Sequence, residues 1–180
     1  MKLWIKISIL NGIIVVSLGL LIGLALRSIV TTSMRDELTR QGKSISRNLS
    51  DRLSDLVLLD DFYTAQQSIS DVLKKEQDIE YIYITNQVGQ VFVHTFSKGF
   101  PPDILHWNPL LDKSFSIQLL DTEKGYIRDL GLKIFEGMPI DLHIGIREAR
   151  IRQTLKRIRN VIIGLTVSVT LMGAVLSSVF

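Results

Sequence analysis

Two uncharged apolar runs, one near each end, constrain this chain more than any other feature. Residues 7–26 and 161–180 contain no Asp, Glu, Lys or Arg. At about 20 residues, each run is long enough to cross a hydrocarbon core of roughly 30 Å as a helix. A core helix of a soluble domain keeps one polar face, whereas these runs are apolar on every side. Between them lie all the acidic residues and every basic residue except Lys2 and Lys6. The pattern predicts two membrane helices around one polar domain.

The first run follows Lys2 and Lys6, as a signal peptide would. It exceeds the usual h-region of about 7–15 residues. Arg27-Ser28-Ile29-Val30 follows it in place of a small-x-small cleavage site. It is therefore read as an uncleaved anchor, with residues 1–6 in the cytoplasm and residues 7–26 in the membrane. Residues 160–180 form the second span. Arg147, Arg150, Arg152, Lys156, Arg157 and Arg159 precede that span, so both flanks of the middle segment are basic. The positive-inside rule weakens for translocated segments longer than about 60 residues. The expectation is a membrane protein whose domain, residues 27–159, faces out of the cytoplasm. The absence of cysteine excludes disulfides, c-type haem attachment and thiolate metal sites.

Beyond Arg27, the residues Met34, Leu38, Ile45, Leu49, Leu53 and Leu56 recur at helical spacing, so the first helix continues out of the membrane. Gly42 falls on this stripe and weakens it locally. Asp60-Asp61 marks its end, and a shorter helix is expected over 63–75, with Ile69, Val72 and Leu73 inward. The period then changes. Residues 81–85 are β-branched and aromatic, Asn86-Gln87-Val88-Gly89 is a turn, and 91–96 returns as a strand. Gly99, Pro101 and Pro102 break the chain before a helical turn at 103–105. Further strands are expected over 114–120, 126–135 and 140–146. Ile151, Leu155, Ile158 and Ile162 then form a heptad seam running into the second span without Gly or Pro. The expected class is α+β: a mostly antiparallel sheet of about five strands with a long N-terminal helix.

The run from Tyr81 through Val93, followed by His94-Thr95-Phe96 with Gly99 and Pro101, resembles PAS-like, Cache-type extracytoplasmic sensor domains. In particular it is similar to the His-Thr-Phe-x-x-Gly-x-Pro run of some two-component sensor histidine kinases. Ile144-Gly145-Ile146 before a charged helix resembles the end of such domains. The resemblance covers roughly residues 27–159. It implies a small-molecule ligand held between sheet and helices, and a change passed on through the membrane helices. It also implies an output domain after the second span. These 180 residues carry no HAMP-like linker, phosphoacceptor-histidine helix or ATP-binding domain. The chain is thus expected to be the input region of a longer kinase and not itself an enzyme.

His94 is the first candidate ligand contact, since an imidazole can donate to a carboxylate or carbonyl and titrates near neutrality. The plainer alternative is a histidine bonded to loop backbone. Thr95 adjoins it, and Tyr81, Tyr83, Phe92 and Phe96 are candidates for the apolar pocket wall, with core packing as the alternative. Two hairpin registers are open: one sets Tyr81 and Tyr83 beside His94, the other Ile82 and Ile84. The spacing of His94, His106 and His143 fits no metal pattern, so no metal and no cofactor is expected. Gly12, Gly19 and Gly23 make a small-residue stripe that would let two copies dimerise. The basic run 147–159 adjoins the membrane, which points to lipid headgroups and not to nucleic acid. The competing reading is a non-signalling, membrane-anchored interaction or assembly factor.

Overall fold

The computed structural model describes residues 3–110, 113–123 and 125–179. Lys2 and Phe180, part of the expected outer segments, lie outside them. The fold is α+β. The order is α1 (Leu3–Leu58), α2 (Phe62–Lys75), β1 (Ile79–Thr85), β2 (Val91–His94), a short 3-10 turn (Pro102–His106), β3 (Phe115–Thr122), β4 (Gly125–Lys133), β5 (Asp141–Arg147) and α3 (Ala149–Val179). The chain divides into two units, Met1–Arg35 with Ile151–Phe180, and Asp36–Arg150. Among the described residues, two helices are long and apolar enough to cross a membrane, and they flank the β domain in sequence.

In the first unit, α1 packs against α3 through its glycines. A Cβ at Gly19 would lie 2.6 Å from Thr166 Oγ1, one at Gly23 3.7 Å from Ile162, and one at Gly12 4.0 Å from Thr170. Gly12, Gly19 and Gly23 thus face a helix of the same chain. Close backbone approach through small residues is the usual way such helices associate in lipid. Thr166 Oγ1 donates to Ile162 O at 2.9 Å, and Thr170 Oγ1 to Thr166 O at 2.7 Å. These hydroxyls are therefore satisfied without water, as an apolar solvent demands. Leu18, Leu21, Leu165 and Leu171 point outward with more than half their surface uncovered. Gly19→Leu is expected to weaken the helix pair by about 1–3 kcal/mol, an overpacking cost. Unfolding of the full chain in micelles would measure it against the outward Leu18→Ala. Equal behaviour of the two would overturn the packing role of Gly19.

In the second unit, α1 stops where its backbone turns left-handed at Asp60, with φ of +53°. Asp61 N–H then bonds Leu56 O and Asp60 N–H bonds Val57 O, a Schellman closure. Asp61 caps α2 by accepting from Thr64 N at 3.1 Å. The side-chain hydrogen bond involving Thr64 holds the Asp61 carboxyl below the usual carboxylate range. The Asp60-Asp61 pair thus ends one helix and starts the next.

The sheet is antiparallel throughout, in the order β2-β1-β5-β4-β3. The first and last strands pair at its centre. One face carries Ile82, Ile84, Val93, Leu130, Leu142, Ile144 and Ile146, all nearly inaccessible. The helices lie over this face. A Cβ at Gly42 would meet Ile146 at 2.6 Å and Leu130 at 2.8 Å. Gly42, read as a weak point of the stripe, is instead where α1 rests on the sheet. Leu49, Leu53, Val57, Ala65 and Ile69 are buried with it. Strand β2 ends at His94, two residues before the expected Phe96. There Thr95 turns to bond Ile82 and Phe96 leaves the ladder.

Candidate functional site

The opposite face of the sheet carries the chemistry. Alternation and register set two rows of side chains across it. One runs His94, Tyr83, His143, Gly131, Ser116; the other runs Tyr81, Gly145, Asp129, Gln118. Tyr83 pairs with His94, so of the two open registers the structure has the one that sets the tyrosines beside the histidine. Ile104, Leu120 and Ile127 complete the buried cluster with Tyr81 and Tyr83, and Phe96, Phe100 and Leu105 pack on it from the segment after β2.

Asp129 is the polar centre and is 2% exposed. Tyr81 Oη donates to its Oδ1 at 2.7 Å, and Asn108 Nδ2 to its Oδ2 at 2.8 Å. His143 Nδ1 lies 2.9 Å from the same Oδ2. Asn108 Oδ1 accepts from Ser116 Oγ at 2.8 Å, which extends the network to β3. A carboxylate this deep persists only because several donors replace its water. Burial, reinforced by the Asp129 charge, holds the Tyr81 phenol far above its ordinary pKa, so it stays a donor. Burial raises the Tyr83 phenol as well.

Two glycines make room for the rings. A Cβ on Gly145 would lie 2.4 Å from the Tyr81 ring, and one on Gly131 2.9 Å from His143 Cε1. Tyr81 therefore lies flat on β5, with Phe96 stacked on it at 5.1 Å. The His143 ring stacks on Tyr83 at 4.6 Å with only 2° between planes. Asp141, two residues before His143, has Oδ1 buried with no hydrogen-bond partner. Burial raises its carboxyl above the ordinary value, opposed by His143 and Lys133.

The expected residues divide into three groups. His94, Tyr81, Tyr83 and Phe96 come together. The His94 ring sits 6.0 Å from Phe96 and 5.6 Å from Phe100, and its Nδ1 is buried without a hydrogen-bond partner. Gln66 of α2 holds the His94 carbonyl at 3.0 Å. Thr95 lies beside them, but its hydroxyl is taken up by Ile82: it accepts from Ile82 N at 2.8 Å and donates to Ile82 O at 3.2 Å. Phe92 goes elsewhere, edge-on to Phe62 at 6.0 Å. The ladder shifts register between Ile84 and Thr85 after the Asn86 turn, and Phe92 sits on the edge strand beyond that shift.

Sequence reasoning missed Asp129, Asn108, His143 and the two glycines. A signal for Asp129 was present: the one acid in the expected strand 126–135 shares a face with Ile127 and Gly131, not with Arg128, and an acid on an apolar face must be paired. Nothing in the sequence indicates that Asn108, from a loop, is its partner.

At the end of the domain, ion pairs hold the segment that leads to α3. Arg128 donates to Glu148 Oε1 at 2.5 Å, with both side chains mostly buried. Arg147 lies 3.4 Å from Glu80 and also donates to the carbonyl of Gln77. Arg150 lies 3.1 Å from Asp78. Residues 77–80, at the start of β1, and residues 147–150, at the end of β5, are thus tied together. No family model matches this chain, and a search of curated proteins finds none with significant similarity.

Proposed function

We propose that this chain is the input region of a transmembrane receptor. Its domain would lie outside the cytoplasm, bind a small molecule, and report occupancy through α1 and α3. The observation that carries the reading is the buried, unpartnered His94 Nδ1 among Phe96, Phe100 and Tyr83. A buried polar atom without a partner costs about 1–3 kcal/mol, and a ligand's carboxylate, carbonyl or hydroxyl would relieve that cost. The apolar rings around it supply the contact area typical of small-molecule sites. Phe96 and Phe100 belong to the segment after β2, outside regular strand, which suits a cover that opens.

The antiparallel sheet under a long N-terminal helix supports the PAS-like, Cache-type reading, in which the parent protein is a two-component histidine kinase. The ion pairs of Arg147 and Arg150 with Glu80 and Asp78 give the mechanism a place to act. A ligand that prefers one arrangement of β1 and β5 biases the start of α3 by its differential affinity alone.

The test is thermal unfolding of the full chain in micelles with organic acids, amines and amino acids. One class is expected to raise the midpoint, and His94→Ala is expected to remove at least about nine-tenths of that affinity, as loss of a buried hydrogen bond would. A shift that survives His94→Ala would assign the ligand elsewhere. No shift with any class would favour an interaction or assembly role. Impermeant labelling of Lys98→Cys, in the exposed segment after β2, reads the orientation.

A further inference from the structure

Within the first unit, α1 and α3 leave a groove of about 580 Å³ between them. That lies in the range of small-molecule sites, roughly 300–1,000 Å³. Its walls are apolar: Leu20, Gly23, Leu24, Leu155, Ile158 and Ile162 among others. Its lining also includes four cationic side chains, Arg27, Arg152, Lys156 and Arg159, and no acidic one. The sequence has no Asp or Glu in residues 1–35, nor any from 149 onward.

An apolar slot with cations at the domain side of a membrane span has the chemistry of an anionic amphiphile. We propose that the groove binds one anionic glycerophospholipid of the surrounding bilayer. Its phosphate meets Arg27, Lys156 and Arg159, and an acyl chain lies along Leu20, Gly23 and Ile162. Basic pockets between membrane helices recognise lipid headgroups in this way. A second copy of the chain is a poor occupant, because its own spans and their flanks would bring only further cations. This site rests on reading the two helices as membrane-spanning, and it does not depend on the ligand site of the β domain.

The experiment reconstitutes the full chain into nanodiscs of equal phosphatidylglycerol and phosphatidylcholine, then counts retained lipids by native mass spectrometry. Phosphatidylglycerol is expected to be enriched, and Lys156→Gln or Arg159→Gln is expected to lower the enrichment about fivefold each. Arg157→Gln removes the same charge from a residue that does not line the groove, and it is expected to leave the enrichment unchanged. These are exposed positions, so each single variant keeps the fold testable, and the double variant should lose the preference. Equal loss in Arg157→Gln would reduce the effect to general surface charge and overturn the site. Equal retention of the two lipids by the unmodified chain, once inserted, would also overturn it. Ready disulfide formation between two copies carrying Leu24→Cys would place a second copy in the groove and overturn it too. A chain that fails to enter nanodiscs at all would overturn the membrane reading and the site together.

Discussion

Asp129→Ala is expected to destabilise the β domain by about 3–5 kcal/mol, the cost of breaking a buried charged network on one side. The carboxylate serves Tyr81 at 2.7 Å, Asn108 at 2.8 Å and His143 at 2.9 Å. Alanine removes the shared acceptor and leaves three buried polar groups facing one another. Asn108 keeps its weaker bond to Asp129 O at 3.3 Å, so the loss is not total. Asp129→Asn retains one acceptor oxygen and is expected to cost less, about 1–3 kcal/mol. Tyr81→Phe removes one partner only and is expected to cost about 1 kcal/mol. Denaturant unfolding of the full chain in micelles, followed by tyrosine near-ultraviolet signals, ranks the three. An Asp129→Ala midpoint equal to that of the unmodified chain would show that the network contributes nothing to stability.

The second large effect comes from a single methyl group. Gly145→Ala places a Cβ 2.4 Å from Cε1 and Cζ of Tyr81. That ring has little room to yield, held at its hydroxyl by Asp129 and stacked against Phe96. The expected cost is about 2–3 kcal/mol, in the overpacking range. Because the clash is with one ring, the effect must be coupled to it. In a double-mutant cycle, Tyr81→Leu with Gly145→Ala is expected to cost clearly less than the sum of the two. Additive costs would mean that strain arises in the strand itself and not under the ring. The response to any ligand should fall with Gly145→Ala as well, since Tyr81 shares its face with His94.

Much of this was legible in the sequence because it depends on local pattern. The uncharged runs, the helical stripe from Leu38 to Leu53 and the β-branched hairpin were each readable from neighbours a few residues apart. Asp60-Asp61 marked a helix boundary because each residue has a local job, one in the left-handed turn and one as a cap. The hairpin register was not legible. It turned on the Asn86 turn and the shift at Ile84/Thr85, and one residue of slip would have exchanged the faces. Thr95 and Phe92, neighbours of His94 in sequence, took different roles: Thr95 lies past the end of β2, and Phe92 lies beyond the shift at Ile84/Thr85.

The two long apolar helices follow from sequence alone, because compatibility with lipid depends on the composition of one continuous helix. The α+β order follows from periodicity in the same way. Tertiary structure decided everything that rests on distant partners. It put the glycines of the first apolar run against Thr166 and Ile162 of the same chain, and it turned Gly42 from a weak point into a contact. It also joined Asp129, Asn108, His143 and Tyr81, residues up to 62 positions apart in sequence, into one buried site. Such partnerships are fixed by burial and register across the sheet, and no short stretch of sequence carries them.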